Sequence, residues 1–267
     1  MLTEELINQY SQVGLIIVPV PTHISDLQME FKNDLASYLR IHHGLNSDLA
    51  NVPKAIMELA VHDREAVAKL YKVSRRMPAI KKIACSDWVL SLSKQVMGSD
   101  LISCHNFTAV RFDFLGEEKF SAPPHQDFPY IQGSLNGVTI WLPFFDIFKE
   151  MGPVEFVAGS HLSGCRKVRE HALTSTGSGI HTLELVEADS LRQLNYNSCE
   201  MSSNCALLFS TLLIHKSGEN CSNIPRISLQ IRCDDLTDKN SFDRSYPDGL
   251  YLGDKFSNSY PEYVEGT

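Results

Sequence analysis

No run of about 18 or more apolar residues occurs in this 267-residue chain, which argues against a membrane-spanning helix. The opening Met1-Leu2-Thr3-Glu4-Glu5 has no basic stretch ahead of an apolar core, which argues against a secretory signal. There is no CxxC pair, and the seven cysteines (85, 104, 165, 199, 205, 221, 233) are odd in number. That pattern speaks against a disulfide framework and for reduced thiols in a cytoplasm. There is also no basic block: 24 Lys and Arg stand against 32 Asp and Glu, a formal net charge of -8. Neither a nucleic-acid backbone nor an anionic membrane surface is therefore an expected partner, and nothing in the chain sets an oligomeric state. Without internal repeats, low-complexity tracts or linkers, residues 1–267 read as one domain.

What is present suffices for a sizeable core, with 43% hydrophobic and 21% charged residues. Residues 3–11 read as a short amphipathic helix opened by Thr3, followed by a break at Gly14 and a β-branched strand over Leu15–Pro19. From about 24 to 98 apolar residues recur at helical spacing (Leu27, Phe31, Leu35, Leu39; later Trp88 and Leu92), with Ser86 placed to cap the last helix and Gly98 to end it. After residue 100 the period becomes that of strands, predicted at 105–114, 123–128, 137–146, 153–157, 183–187, 205–209, 212–216 and 226–234. Helices followed by many short strands indicate an α+β chain: helical support over 1–100, a double-stranded β-helix (jelly-roll, cupin-like) core over 101–235, and a tail over 236–267 without clear periodicity. The Gly-rich polar stretch 158–182 reads as a long loop over one mouth of the barrel.

Within this frame the informative stretch is His125-Gln126-Asp127, answered by His215, Arg226 and Ser228. Strand residues spaced i, i+2 share a face, so His125 and Asp127 are expected to point into one cavity. A neighbouring-strand His215 completes two histidines and one carboxylate on one face of a metal, the arrangement expected of non-haem Fe(II) oxygenases. Arg226 and Ser228 also share a face, and a guanidinium makes the paired hydrogen bonds that hold a carboxylate. The turn-rich 217–225 is expected to fold the Arg226 strand back beside the His215 strand as a hairpin. Thr139 shares parity with Trp141 and is either a core hydroxyl or a ligand contact. Arg111 either reaches substrate or cosubstrate, or pairs with Asp113 on a solvent face. Gln126 and Tyr130 flank the metal motif and are expected to border the substrate. His161, His171 and His181 show no spacing that builds a second metal site.

The segments HQDFPYIQGSLNGVTIWLPFFDI, MGPVEFVAGSH and LLIHKSGENCSNIPRISLQIR, with the opening LTEELINQYSQVGLIIVPV, resemble the phytanoyl-CoA dioxygenase family of Fe(II)- and 2-oxoglutarate-dependent oxygenases. The resemblance implies that His125, Asp127 and His215 bind Fe(II) and that Arg226, helped by Ser228, holds the distal carboxylate of 2-oxoglutarate. It further implies that Trp141 lines the cosubstrate pocket and that dioxygen is the second cosubstrate. Halogenating relatives carry a small residue in place of the carboxylate, so Asp127 favours hydroxylation over halide transfer, with desaturation or ring formation as the alternatives.

The loop 158–182 offers only Arg166, Lys167 and Arg169 as a basic cluster, beside Glu170, and is rich in Ser, Thr, Gly and His. A hydroxylated or amino-bearing small metabolite suits it better than an acyl-CoA. The rival readings are a cupin-like metal-dependent hydrolase or isomerase, which has no need of a dicarboxylate anchor, and a binding protein of the same fold.

Overall fold

Thr3 accepts a hydrogen bond from the Leu6 N–H at 3.3 Å and so caps α1 (Glu4–Val13), which Gly14 ends in the left-handed conformation. The strand β1 (Leu15–Pro19) follows, and then five helices: α2 (Thr22–His43), α3 (Val52–His62), α4 (Arg64–Ser74), α5 (Pro78–Ala84) and α6 (Asp87–Met97). Ser86 and Gly98 cap α6 as the sequence predicts. The structure, a computed structural model, describes residues 1–116, 122–170, 183–191, 193–250 and 252–266. No helix among them is long and apolar enough to cross a membrane.

The strands that follow are β2 (Ile102–Cys104) and β3 (Ala109–Asp113), then, after the short helix α7 (Phe128–Ile131), β4 (Gly137–Pro143) and β5 (Val154–Phe156). Next come β6 (Val168–Glu170), β7 (Leu183–Leu185), the one-turn helix α8 (Ala188–Leu191), β8 (Asn197–Ser198), β9 (Cys205–Ser210), β10 (His215–Ser217) and β11 (Arg226–Asp235). Two short helices, α9 (Lys239–Asp243) and α10 (Phe256–Ser259), occupy the tail. A larger antiparallel sheet runs β1-β9-β4-β11-β2, with β3 also paired to β11; a smaller one runs β10-β5-β8; β6 and β7 form a pair of their own.

The alternation of β11 divides the molecule. Ile227, Leu229, Ile231 and Cys233 enter the main core with Phe31, Leu35, Val67 and Ile80 of the helices. Arg226, Ser228, Gln230 and Arg232 take the opposite face of the same strand. On that side Trp141, Leu207 and Phe209 of the larger sheet pack with Val154 and Phe156 of the smaller one. The order is therefore helices, larger sheet, smaller sheet, with the functional side chains between the sheets.

Several sequence expectations change. The run 105–114 is interrupted: β2 and β3 flank a stretch in which the His105 N–H still donates to the Arg232 carbonyl at 2.9 Å. The stretch 123–128 is no strand but a single bridge at His125 that turns directly into α7. The strand predicted at 212–216 begins only at His215. The 217–225 hairpin does not form, because β10 pairs with β5 whereas β11 lies between β4 and β3. The connection instead crosses between sheets, held by the Asn220 amide, which donates to the Asp113 and Ile224 carbonyls at 2.8 and 2.9 Å. Gly152 and Gly218 make this crossing possible: a Cβ at Gly152 would lie 2.4 Å from the Glu219 carbonyl oxygen, and one at Gly218 2.6 Å from that of Pro153.

Of the loop expected over 158–182, Ser160–Ser163 forms a 3-10 turn and Val168–Glu170 pairs with β7. Residues 171–182, with His171 and His181, lie outside the described residues. The tail closes onto α7, where Phe128 meets Phe256 and Tyr260 edge-on.

Candidate metal centre and active-site cavity

The two histidines are bound to one another through the backbone: the His125 N–H donates to the His215 carbonyl at 2.9 Å and the reverse bond measures 3.0 Å. Their rings stand 4.2 Å apart between centroids. Each ring is turned by its Nδ1–H, which donates to a carbonyl two residues earlier, Pro123 at 2.7 Å and Leu213 at 2.9 Å. That choice of tautomer leaves both Nε2 lone pairs free to ligate. Burial, and then the charge of His125, push the His215 pKa down to about 4, so its imidazole is neutral at ordinary pH.

Asp127 joins them by a different route from the i, i+2 strand geometry expected. It adopts a helical conformation at the start of α7, with its Oδ1 3.6 Å from the His125 Nε2. One ligand atom from each of His125, Asp127 and His215 lies within 4.8 Å of the others, the one such cluster among the described residues. Burial alone would raise the Asp127 carboxyl; the Arg232 guanidinium, with smaller contributions from the two histidines, overrides it and holds the group well below the usual carboxylate range. Arg232 donates to both carboxylate oxygens at 3.2 Å, and the Thr139 hydroxyl donates to Oδ2 at 2.6 Å. Thr139 is thus neither a plain core hydroxyl nor a cavity contact, but a clamp on Asp127.

The triad opens on a cavity of about 730 Å3 whose walls include Trp141, Tyr130, Arg111 and Arg226. Arg226 is almost fully buried and donates through Nε and Nη2 to Asp113 at 3.3 and 3.0 Å. Arg111 holds the other oxygen of Asp113, with Nη2 at 2.6 Å. The pairing of Arg111 with Asp113 thus occurs, but on the cavity wall and not on a solvent face. Burial would raise the Asp113 carboxyl; Arg111 and Arg226 together hold it well below its usual range. One nitrogen remains: among the described residues Arg226 Nη1, which is buried, has no hydrogen-bond partner, and neither has the Ser228 hydroxyl two residues along the same strand face. A buried donor left unpaired costs about 1–3 kcal/mol, so an unpaired guanidinium nitrogen and hydroxyl on one strand face call for an acceptor from outside the chain.

Two flanking residues differ in use. The Tyr130 hydroxyl donates to the Leu183 carbonyl at 2.5 Å, leaving its ring to form cavity wall. Gln126 turns away from the cavity, donating to the Gly164 and Leu212 carbonyls at 3.0 and 2.6 Å and accepting from the Arg166 N–H. Its expected place beside the substrate is therefore corrected, because it takes the opposite face from His125. In the 158–182 loop, Arg166 pairs with Glu187 and Arg169 with Glu265. Arg232 escaped the sequence reading, although it has the same strand parity as Arg226 and Ser228.

The sequence of residues 40–228 matches the model of the phytanoyl-CoA dioxygenase (PhyH) family, well over half of the chain. The chain belongs to that family. No curated protein sequence matches it. Among solved structures, the PhyH-family chain is similar to the non-heme alpha ketoglutarate dependent epimerase SnoN from nogalamycin biosynthesis, at 18% identity over 88% of this chain and 83% of that one, with a TM-score of 0.54. It is similar to EctD from S. alaskensis, solved with 2-oxoglutarate and 5-hydroxyectoine, at 13% identity over 89% and 77% of the two chains, TM-score 0.56. The carbocyclase SnoK from nogalamycin biosynthesis matches at 12% identity over 88% and 84%, TM-score 0.55. At these identities the likeness is one of fold, the jelly roll with N-terminal helices that the sequence predicted.

Proposed function

We propose that this PhyH-family protein is an Fe(II)- and 2-oxoglutarate-dependent dioxygenase that hydroxylates a small polar molecule. The observation that carries the reading is the meeting, in one cavity, of a two-histidine, one-carboxylate set with a buried arginine that has one nitrogen to spare. The donor set fits Fe(II): two imidazoles and one carboxylate on one face leave the other face open. The orphaned Arg226 Nη1 and Ser228 hydroxyl fit the far carboxylate of 2-oxoglutarate, and Trp141 forms the adjoining wall. When bound, iron with 2-oxoglutarate and dioxygen supplies the oxidising chemistry, with succinate and carbon dioxide as by-products.

The chain's own residues do the rest. His125, Asp127 and His215 hold the metal; Arg232 and Thr139 fix the Asp127 carboxylate, and the Pro123 and Leu213 carbonyls fix the two rings. The Arg111–Asp113–Arg226 chain keeps the Arg226 fork in one orientation, so that little side-chain freedom is lost when a carboxylate arrives. The retained Asp127 favours hydroxylation over halide transfer; the solved SnoN and SnoK, described as an epimerase and a carbocyclase, indicate that the same fold also directs oxidation to other outcomes. The cupin-like hydrolase or isomerase is the weaker reading, because it leaves Arg226 Nη1 and Ser228 without a use.

The test is to load metal-free protein anaerobically with Fe(II), Mn(II) or Zn(II), admit dioxygen, and follow 2-oxoglutarate loss and succinate release. Turnover confined to Fe(II) supports the dioxygenase. Metal-dependent chemistry that ignores 2-oxoglutarate refutes it in favour of the hydrolase or isomerase.

A further inference from the structure

One wall of the cavity is formed by α4 and its C-cap, where the residues follow one helical stripe: Arg64, Ala68, Tyr71, Lys72 and, just past the helix end, Arg75. Tyr71 fastens the stripe to the sheet, its hydroxyl donating to the Phe112 carbonyl and accepting from the Phe112 N–H at 3.1 Å. Arg75 lies over the Phe107 ring at 5.4 Å, itself part of the cavity wall, and Arg64 lies over Phe114 at 4.8 Å. These cations form a fixed edge of the cavity.

Among the described wall residues the charge is the reverse of the whole chain's. Among the described wall residues Asp127 is the single acid, whereas the net charge of the whole chain is -8. Most of the wall cations have protein acids assigned to them: Arg111 and Arg226 share Asp113, Arg232 holds Asp127, and Lys216 meets Glu155 at 2.9 Å. Lys72 and Arg75 have no carboxylate partner among the described residues. The iron site and Arg226 already answer the two carboxylates of 2-oxoglutarate. Charge complementarity at the α4 wall is therefore left for a second ligand.

Resting on the dioxygenase reading above, we infer that the substrate is an organic acid, a molecule whose carboxylate or phosphate is held by Lys72 and Arg75 while its less polar body lies along Phe107, Tyr71 and Trp141 toward the metal. An ammonium in the last turn of a helix and a planar guanidinium three residues on, at its C-cap, suit a two-oxygen anionic head. The aromatic walls suit an apolar or ring-bearing body. This places the anion receptor on a helix and not on the 158–182 loop, whose arginines Arg166 and Arg169 are engaged with Glu187 and Glu265.

The experiment uses the full chain and matched probes: carboxylic acids with aryl and alkyl bodies, their primary amides, phosphate monoesters of the same bodies, and a coenzyme A thioester. Binding is read by calorimetry and thermal shift with and without Fe(II) and 2-oxoglutarate, and turnover by probe-stimulated succinate release. Expected is at least tenfold tighter binding of an acid than of its amide, weakened several-fold by raising salt from low ionic strength to about 0.3 M, since the α4 rim is solvent-accessible. Lys72→Glu combined with Arg75→Glu should raise the half-saturating acid concentration at least tenfold, and the milder Lys72→Gln with Arg75→Gln should do so to a smaller degree, with circular dichroism reporting the fold of both. Preference for the phosphate monoesters over free acids assigns a phosphate as the bound head, and preference for free acids a carboxylate; preference for the coenzyme A thioester over both overturns the inference of a small acid. A panel in which no acid binds better than its amide, or an acid affinity unmoved by charge reversal, overturns the inference. Failure of the wild-type protein to bind Fe(II) and 2-oxoglutarate refutes the dioxygenase reading separately, because acid binding is also scored without them.

Discussion

Replacing Arg226 isolates one atom of the account. In Arg226→Lys a cation remains near Asp113, but the planar fork and its spare Nη1 disappear. A hydrogen bond to a charged group contributes about 1.5–3 kcal/mol, which corresponds to a loss of roughly 10- to 150-fold in 2-oxoglutarate affinity. Arg226→Met goes further, leaving Asp113 to Arg111 alone; breaking part of a buried ion-pair network costs up to about 3–5 kcal/mol, so this variant should also unfold at lower temperature. Ser228→Ala supplies the contrast. Its hydroxyl is buried and without a hydrogen-bond partner among the described residues, so removal should leave stability unchanged or slightly raised while 2-oxoglutarate affinity falls roughly tenfold or more, the low end of about 1.5–3 kcal/mol for a hydrogen bond to a charged carboxylate. The assay is anaerobic titration of the iron-bound protein with 2-oxoglutarate, followed through the visible absorption of the ternary complex, with iron affinity measured separately. Unchanged 2-oxoglutarate affinity in Arg226→Lys would refute the assignment.

Arg232→Met should lower the melting temperature of the metal-free protein, because the buried Asp127 loses its main counter-charge, and added Fe(II) should restore part of that loss; equal destabilisation with and without metal would contradict the pairing. Thr139→Val removes the 2.6 Å clamp on Asp127 and should weaken iron binding about 10- to 100-fold with little change in fold, checked by metal titration and circular dichroism. His105 is buried between Asp234 and Asp248; burial lowers its pKa, but Asp234 outweighs this and raises it from 6.5 to about 9. A folded pKa above the unfolded one stabilises fully below pH 6.5 and is lost as pH rises through about 9. Denaturant unfolding should therefore show stability declining across that window by on the order of 3 kcal/mol, and His105→Gln should flatten the decline.

The helical third was legible because its cues are local: Thr3, Ser86, Gly14 and Gly98 sit where caps must, and the apolar spacing of α2 and α6 follows the helical period. The strand parity of β11 likewise separated core from cavity residues. What the sequence hid was set by partners far along the chain. His125 pairs with His215 by one bridge, too short to leave a period, and the chain turns into α7 at once, so Asp127 reaches the metal set through a helical turn. The 217–225 segment has the composition of a hairpin, but Asn220 and the Gly152–Gly218 contact tie it across two sheets. The Arg111–Asp113–Arg226 chain requires the β3–β11 register, which no spacing reveals. The stripe Arg64, Ala68 and Lys72 on α4, with Arg75 just past it, was not read from the sequence, because nothing in the helix itself says that this face borders a cavity.

The central claim is that His125, Asp127 and His215 form one iron site. Its most direct test is anaerobic Fe(II) binding to metal-free protein, counted per chain, for the wild type and for His125→Ala and His215→Ala. The account predicts one tightly bound Fe(II) per chain in the wild type and loss of that site in both variants, with circular dichroism and melting showing folded protein. Wild-type iron binding in both variants would contradict it.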